Sequence, residues 1–99
     1  MNTIPFPNSY KSALMKGAKN STIRIDKEID KYKDGNVYDA TSYSGEDWGT
    51  KIEIDEISKV KIKDLQKYGI PERSVNSFKK KAENMSDNDV VDLIKFHVL

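Results

Sequence analysis

Gly17-Ala18-Lys19-Asn20-Ser21-Thr22-Ile23-Arg24 is the stretch whose reading decides the fold. A helical pattern stops at Gly17, a lysine occupies the turn that follows, and a strand then begins. Thr22 and Arg24 lie two apart on that strand, so their side chains share one face. Ile23 and Ile25 take the opposite face, towards a core. An amine, a hydroxyl and a guanidinium can therefore meet at one spot on a rigid element. Spacing alone also fits an ordinary surface strand with scattered polar residues.

Upstream, Ile4-Pro5-Phe6-Pro7 is apolar but twice interrupted by proline, which donates no ladder bond; it reads as an extended edge segment. Ser9 is placed to cap a helix over 10–16, with Tyr10, Ala13 and Leu14 on one face. Gly17 accepts the left-handed conformation that ends such a helix. Downstream, 21–25 reads as a strand and 26–33 as a charge-rich connection with at most a helical turn. Asp34-Gly35-Asn36 marks a turn, 37–43 a second strand, and Ser44-Gly45-Glu46-Asp47 another turn before Trp48. In 50–62 the apolar phase slips: Ile52 and Ile54 agree, Ile57 does not, and Val60 and Ile62 return. A strand cannot slip by one residue without reversing its faces, so a bulge near Asp55-Glu56 is predicted. Residues 63–68 make helical turns stopped by Gly69. Ser74 is placed to cap a helix carrying Val75, Phe78 and Ala82 on one face. Ser86-Asp87-Asn88-Asp89 is a turn, and 93–99 alternates as a closing strand, with Ile94, Phe96 and Val98 in one phase and Lys95 and His97 in the other.

With the helix–turn–strand order in view, Gly17, Lys19, Thr22 and Arg24 fit the pattern Gly-x-Lys-x-x-Thr-x-Arg. That pattern resembles the signature of the ASCH domain family, small relatives of the PUA-type RNA-binding barrel. Where the family carries Gly-Asp about a dozen residues on, this chain has Gly35-Asn36, which keeps the turn and loses the carboxylate. The resemblance implies an α+β fold: a small PUA-like β-barrel of about five or six strands with two or three short helices packed around it. It implies a pocket for a nucleoside or for single-stranded or structured RNA, with Gly17, Arg24 and Trp48 as ligand-binding residues. It also suggests a bacterial or phage protein.

The chain is similar in size and motif to the small bacterial amidohydrolases of that family, which deacetylate N4-acetylcytidine with a lysine, a threonine and a glutamate. By that resemblance the catalytic set is Lys19, Thr22 and Glu72; simple alignment puts Pro71 opposite the family's glutamate and Glu72 one step on. A desolvated lysine can serve as the base that a threonine hydroxyl needs. The alternatives are a non-catalytic RNA-binding module, with Lys79, Lys80 and Lys81 contacting nucleic acid, and a small protein-interaction domain. A basic run on a helix is also simply a solvated face, and a lone Trp48 beside a turn also fits a core plug.

Bulk properties narrow these readings. The 99 residues fit one domain spanning 1–99, with one modest core. Seventeen basic and sixteen acidic residues leave a net charge of +1, so no global field drives nonspecific nucleic-acid binding. The chain has no cysteine, which fits a reducing cytoplasm. No apolar run spans a membrane and no signal-peptide pattern opens the chain. The single histidine, His97, falls on the outward phase of its strand and gives no basis for a metal site. No cofactor, no metal, no membrane contact and a monomer are the resulting expectations.

Overall fold

The computed structural model describes residues 2–81 and 84–99, with Lys81 described in its main chain only. Its centre is a five-stranded sheet ordered β1-β3-β4-β5-β2. The strands are β1 (Thr3–Phe6), β2 (Ser21–Arg24), β3 (Val37–Ser42), β4 (Asp47–Lys61) and β5 (Val90–Val98). β1 runs parallel to β3, and every other pairing is antiparallel. A 3-10 turn at Asn8–Tyr10 leads into α1 (Lys11–Met15), a second lies at Asp26–Glu28, and a longer 3-10 helix at Ile62–Tyr68 precedes α2 (Glu72–Lys81).

The expected bulge is present. The β4–β5 register shifts between Ile54 and Glu56, which leaves Asp55 without a partner on β5. The extra residue brings Ile57 onto the same core as Ile52 and Ile54, whereas Val60 and Ile62, expected in that first phase, pack in the second core. β5, the closing strand of the sequence pattern, is more central than its place in the chain suggests. Ile94 and Phe96 face one core with Ile4, Phe6, Leu14, Trp48, Ile52 and Ile54. Val91 and Leu93 face a second core with Val60, Ile62, Leu65 and Val75. Residues 91–94 and Phe96 of β5 are buried, with apolar side chains on both faces, while Val90, Lys95 and His97 remain exposed.

Three expectations change. First, the sheet is not closed into a barrel: β1 and β2 are its two edges. Pro5 turns its carbonyl outward, where Arg24 Nη2 donates to it at 2.7 Å. In a strand the nitrogen and carbonyl of one residue look the same way, and proline's nitrogen carries no hydrogen, so no ladder can form there. Second, Ser9 makes no cap; the 3-10 turn starts after Pro7 and no side chain caps it. Third, Ser74 lies inside α2, which begins at Glu72, and Val75 N–H already bonds the Pro71 carbonyl at 3.0 Å. Proline's fixed φ suits a helix start and displaces the serine from that role. Ala82, the last member of the predicted apolar face, lies outside the described residues. No helix among the described residues is long and apolar enough to cross a membrane.

Candidate functional site: a cavity along the free edge of β2

The turn that opens this region is a Schellman motif. Ala18 N–H bonds the Ala13 carbonyl at 2.8 Å and Gly17 N–H bonds that of Leu14 at 3.0 Å. Gly17 adopts φ +75°, a conformation that other L-residues reach only with strain. The reversal sends the chain into β2 and holds Lys19 beside Tyr10, with its Nζ 4.7 Å from the ring centroid.

β2 then places Thr22 and Arg24 on the face of the main core, both buried. Ile23 and Ile25 pack on the second core, as the alternation predicts. Arg24 is only 3% exposed and spans the gap between the two edge strands. Its Nη1 donates to Glu28 Oε1 at 3.0 Å and its Nη2 to the Pro5 carbonyl. The guanidinium carbon sits 4.9 Å from the Phe6 ring centroid and 5.7 Å from that of Tyr32. Tyr32 O–H donates to the same Glu28 oxygen at 2.7 Å. Burial and the bond to Glu28 push the Tyr32 phenol well above its ordinary pKa, so it remains a donor. The Nε of Arg24 is buried and has no partner, a cost seldom left uncompensated.

A cavity of about 440 Å³ lies against this strand. Lys19, Thr22, Arg24, Glu28 and Tyr43 line it together with Ile70, Pro71, Arg73 and Phe78 from the α2 region. The size suits a small organic ligand. Burial, and next the Arg24 charge, lower the Lys19 amine below its ordinary pKa, so a larger fraction of it is unprotonated at a given pH than for a surface lysine.

Of the residues singled out in the sequence, Lys19, Thr22 and Arg24 share this cavity. Glu72 does not: it lines a neighbouring open hollow with Arg73, Asn76, Ser77 and Lys80. Trp48 is a core residue 6% exposed, stacked on Phe6 at 6.5 Å, and is not among the cavity's lining residues. Gly17 acts through the turn it permits. Lys79 pairs with Asp87 at 3.1 Å, Lys80 lines the hollow, and the side chain of Lys81 lies outside the described residues. Sequence reading missed Glu28, although its spacing of four from Arg24 was visible; the segment reads as a loop, where such spacing carries no weight. His97, on the far side of the chain's pattern, is exposed and flanked by Asp55 at 2.7 Å and Glu53 at 3.1 Å. Among the described residues no group of three or more potential metal ligands converges.

The chain matches no protein-family model and no curated protein sequence. Its structure is similar to the crystal structure of an ASCH domain from Lactobacillus crispatus JV V101, with a TM-score of 0.66 over 99% of this chain and 77% of that one. The chain has the ASCH-domain fold. At 15% sequence identity, that likeness speaks for the ASCH fold alone, and ligand and chemistry have to be argued from the cavity.

Proposed function

We propose that the cavity beside β2 binds a nucleoside, either free or as an unstacked nucleotide of an RNA element. The observation that carries this reading is Arg24: a buried guanidinium whose Nε has no partner, in a residue that lines a cavity large enough for a nucleoside. Lys19, Thr22 and the ring of exposed Tyr43 supply a donor, a hydroxyl and an aromatic surface around it.

The cavity's chemistry extends to hydrolysis of an N4-acylated cytidine. Thr22 Oγ1 would attack the amide carbon while Lys19 takes its proton. The C–N bond then breaks, the amine leaves with a proton, and water releases the acyl group from the threonine as a carboxylic acid. The carboxylate available in the cavity for proton transfer is Glu28, whereas Glu72 would have to be brought in from the adjacent hollow. The test is calorimetric titration with cytidine and N4-acetylcytidine, together with chromatography for cytidine and acetate. Binding with turnover that disappears in both Lys19→Met and Thr22→Val supports the hydrolase. Binding without turnover leaves a binding module, and absence of binding removes the nucleoside reading.

One observation favours an RNA element over a free nucleoside. Arg73 and Ser77 line both the cavity and the α2 hollow, so one strand could continue from the first into the second past Arg73 and Lys80. An affinity for short single-stranded RNA that falls with salt, and falls less steeply in Arg73→Gln/Lys80→Gln, is the expected result.

A further inference from the structure

We infer that the ligand is read by the main chain of β2: the outward N–H and C=O of Ile23, beside those of Ser21, form a hydrogen-bonding edge for a heterocycle with an adjacent donor and acceptor. The inference rests on the reading of the cavity as a nucleoside site and adds how the base is selected.

The argument begins with the ladder. β2 is the outermost strand and β5 is its one partner. Phe96 N–H donates to the Asn20 carbonyl at 3.0 Å, and the register that opposes Ser21 to Lys95 makes Asn20 and Phe96 direct partners. In an antiparallel pair, hydrogen-bonded and non-bonded positions alternate. Thr22 and Arg24 therefore spend their main-chain groups on Ile94 and Asp92. Ser21, Ile23 and Ile25 turn theirs the other way. The Ile25 carbonyl is taken by Glu28 N–H at 3.1 Å. Among the described residues, Ser21 and Ile23 have no such additional partner.

The shape of the cavity agrees independently. Its lining includes five consecutive residues, Ser21 to Ile25. Their side chains alternate between two faces of the sheet, and a space running along the strand's edge touches both sets. That edge is where the unpaired main chain looks out. Sheet edges are ordinarily blunted by proline, charge or a covering segment. Here Ile70, Pro71 and Phe78 line the same cavity as the edge, with Ile70 and Phe78 packed on the second core together with Ile23 and Ile25.

A ring is the better occupant than an added strand. The run with both groups open is Ser21 and Ile23 alone, bounded by the Gly17 turn before it and the 3-10 turn at Asp26–Glu28 after it. A pyrimidine of the cytosine type needs just one residue's pair: its ring nitrogen accepts from Ile23 N–H while its exocyclic amine donates to Ile23 C=O. Arg24 Nε–H and the Thr22 hydroxyl then remain for the ring carbonyl and the ribose.

The test is amide hydrogen exchange, followed by NMR on the full ¹⁵N-labelled chain. In the free protein the Ser21 and Ile23 amides should exchange at least tenfold faster than those of Thr22 and Arg24. Saturating cytidine should slow Ile23 by at least tenfold. The 2-pyrimidinone riboside, which lacks the exocyclic donor, should bind at least tenfold more weakly than cytidine. Equal protection of all four amides in the free protein overturns the inference, because the edge would already be covered. Cytidine that shifts the Lys19 and Thr22 resonances without slowing Ile23 also overturns it, while leaving the nucleoside site standing. No response of any cavity residue to cytidine at millimolar concentration removes both.

Discussion

Replacing Arg24 by methionine should unfold this protein at markedly lower urea concentration. The side chain is 3% exposed and makes two charge-assisted bonds, to Glu28 and to the Pro5 carbonyl. Each such bond contributes about 1.5–3 kcal/mol, and the stacking on Phe6 and Tyr32 adds about 1 kcal/mol. Methionine keeps most of the apolar contact and abolishes the unpaired Nε, which returns about 1–3 kcal/mol. Tyr32 continues to donate to Glu28, so the carboxylate is not stranded. The net loss is then about 2–4 kcal/mol, out of about 5–15 kcal/mol for a domain of this size. That corresponds to a fall in Tm of about 10–25 °C and in the urea midpoint of about 1–2 M, with the slope unchanged. A double-mutant cycle with Glu28→Gln should return a coupling of at least about 1 kcal/mol. A methionine variant as stable as the native protein, or a coupling near zero, would refute the bridging role assigned to Arg24.

Four further outcomes follow from the same geometry. Gly17→Ala should cost about 1–2 kcal/mol despite open space around the added methyl, because the penalty is conformational, and Gly17→Asn should recover part of it; urea unfolding distinguishes them. Asp92→Asn should cost about 1–3 kcal/mol by the same measure, since the buried carboxylate accepts from Asp30 N–H at 2.8 Å and from Lys59 Nζ. Bonds to Asp30 and then Asp92 raise the Lys59 amine above 10.5, so its contribution is complete below that pH and fades as the pH climbs beyond it; Lys59→Met should flatten this alkaline limb in stability measured against pH. Lys19 has the opposite sign: its amine is lowered from 10.5, so its protonated form penalises the folded state at neutral pH and the penalty fades as pH rises towards 10.5. NMR titration should find Lys19 Nζ below the other lysines, and Arg24→Met should move it only part of the way back, because burial is the larger cause.

Much of this architecture is local, and local chemistry is readable. The phase slip from Ile54 to Ile57 announced the bulge because a strand has a strict period of two. Gly69, at φ +91°, stops its helix where the pattern said it would. The capping serines failed for a local reason too: a nearby proline sets a helix start more firmly than a serine two or three residues away. What could not be read were contacts between distant segments. Nothing near Pro5 says that its carbonyl will meet a side chain nineteen residues on. Arg24 was legible as a candidate site residue, but its burial depends on Phe6 and Tyr32, which no periodicity links to it. Tyr32 sits in a stretch whose composition reads as solvated, yet it is 3% exposed. The barrel expectation failed at the same place, since closure depends on which edges pair and not on how many strands form. Within the site, Lys19 and Thr22 were found by motif, whereas Glu28 was concealed by the irregular segment that carries it.

The gap between β1 and β2 bears on how the chain reaches its native state. The three consecutive antiparallel neighbours β3, β4 and β5 can assemble without either flanking strand, and β4 and β5 share the longest pairing. β2 has the longest reach: Ser21 pairs with Lys95 and Arg24 with Asp92, a non-local step whose loop-closure cost is met late, and β1 must also return to lie parallel to β3. The guanidinium can span the gap only after both flanks have docked, so substitutions at position 24 should accelerate unfolding while hardly changing the refolding rate. A chain delayed before that point would expose two bare strand edges at once, which makes the docking of the final side chain a safeguard against self-association as well as a source of stability.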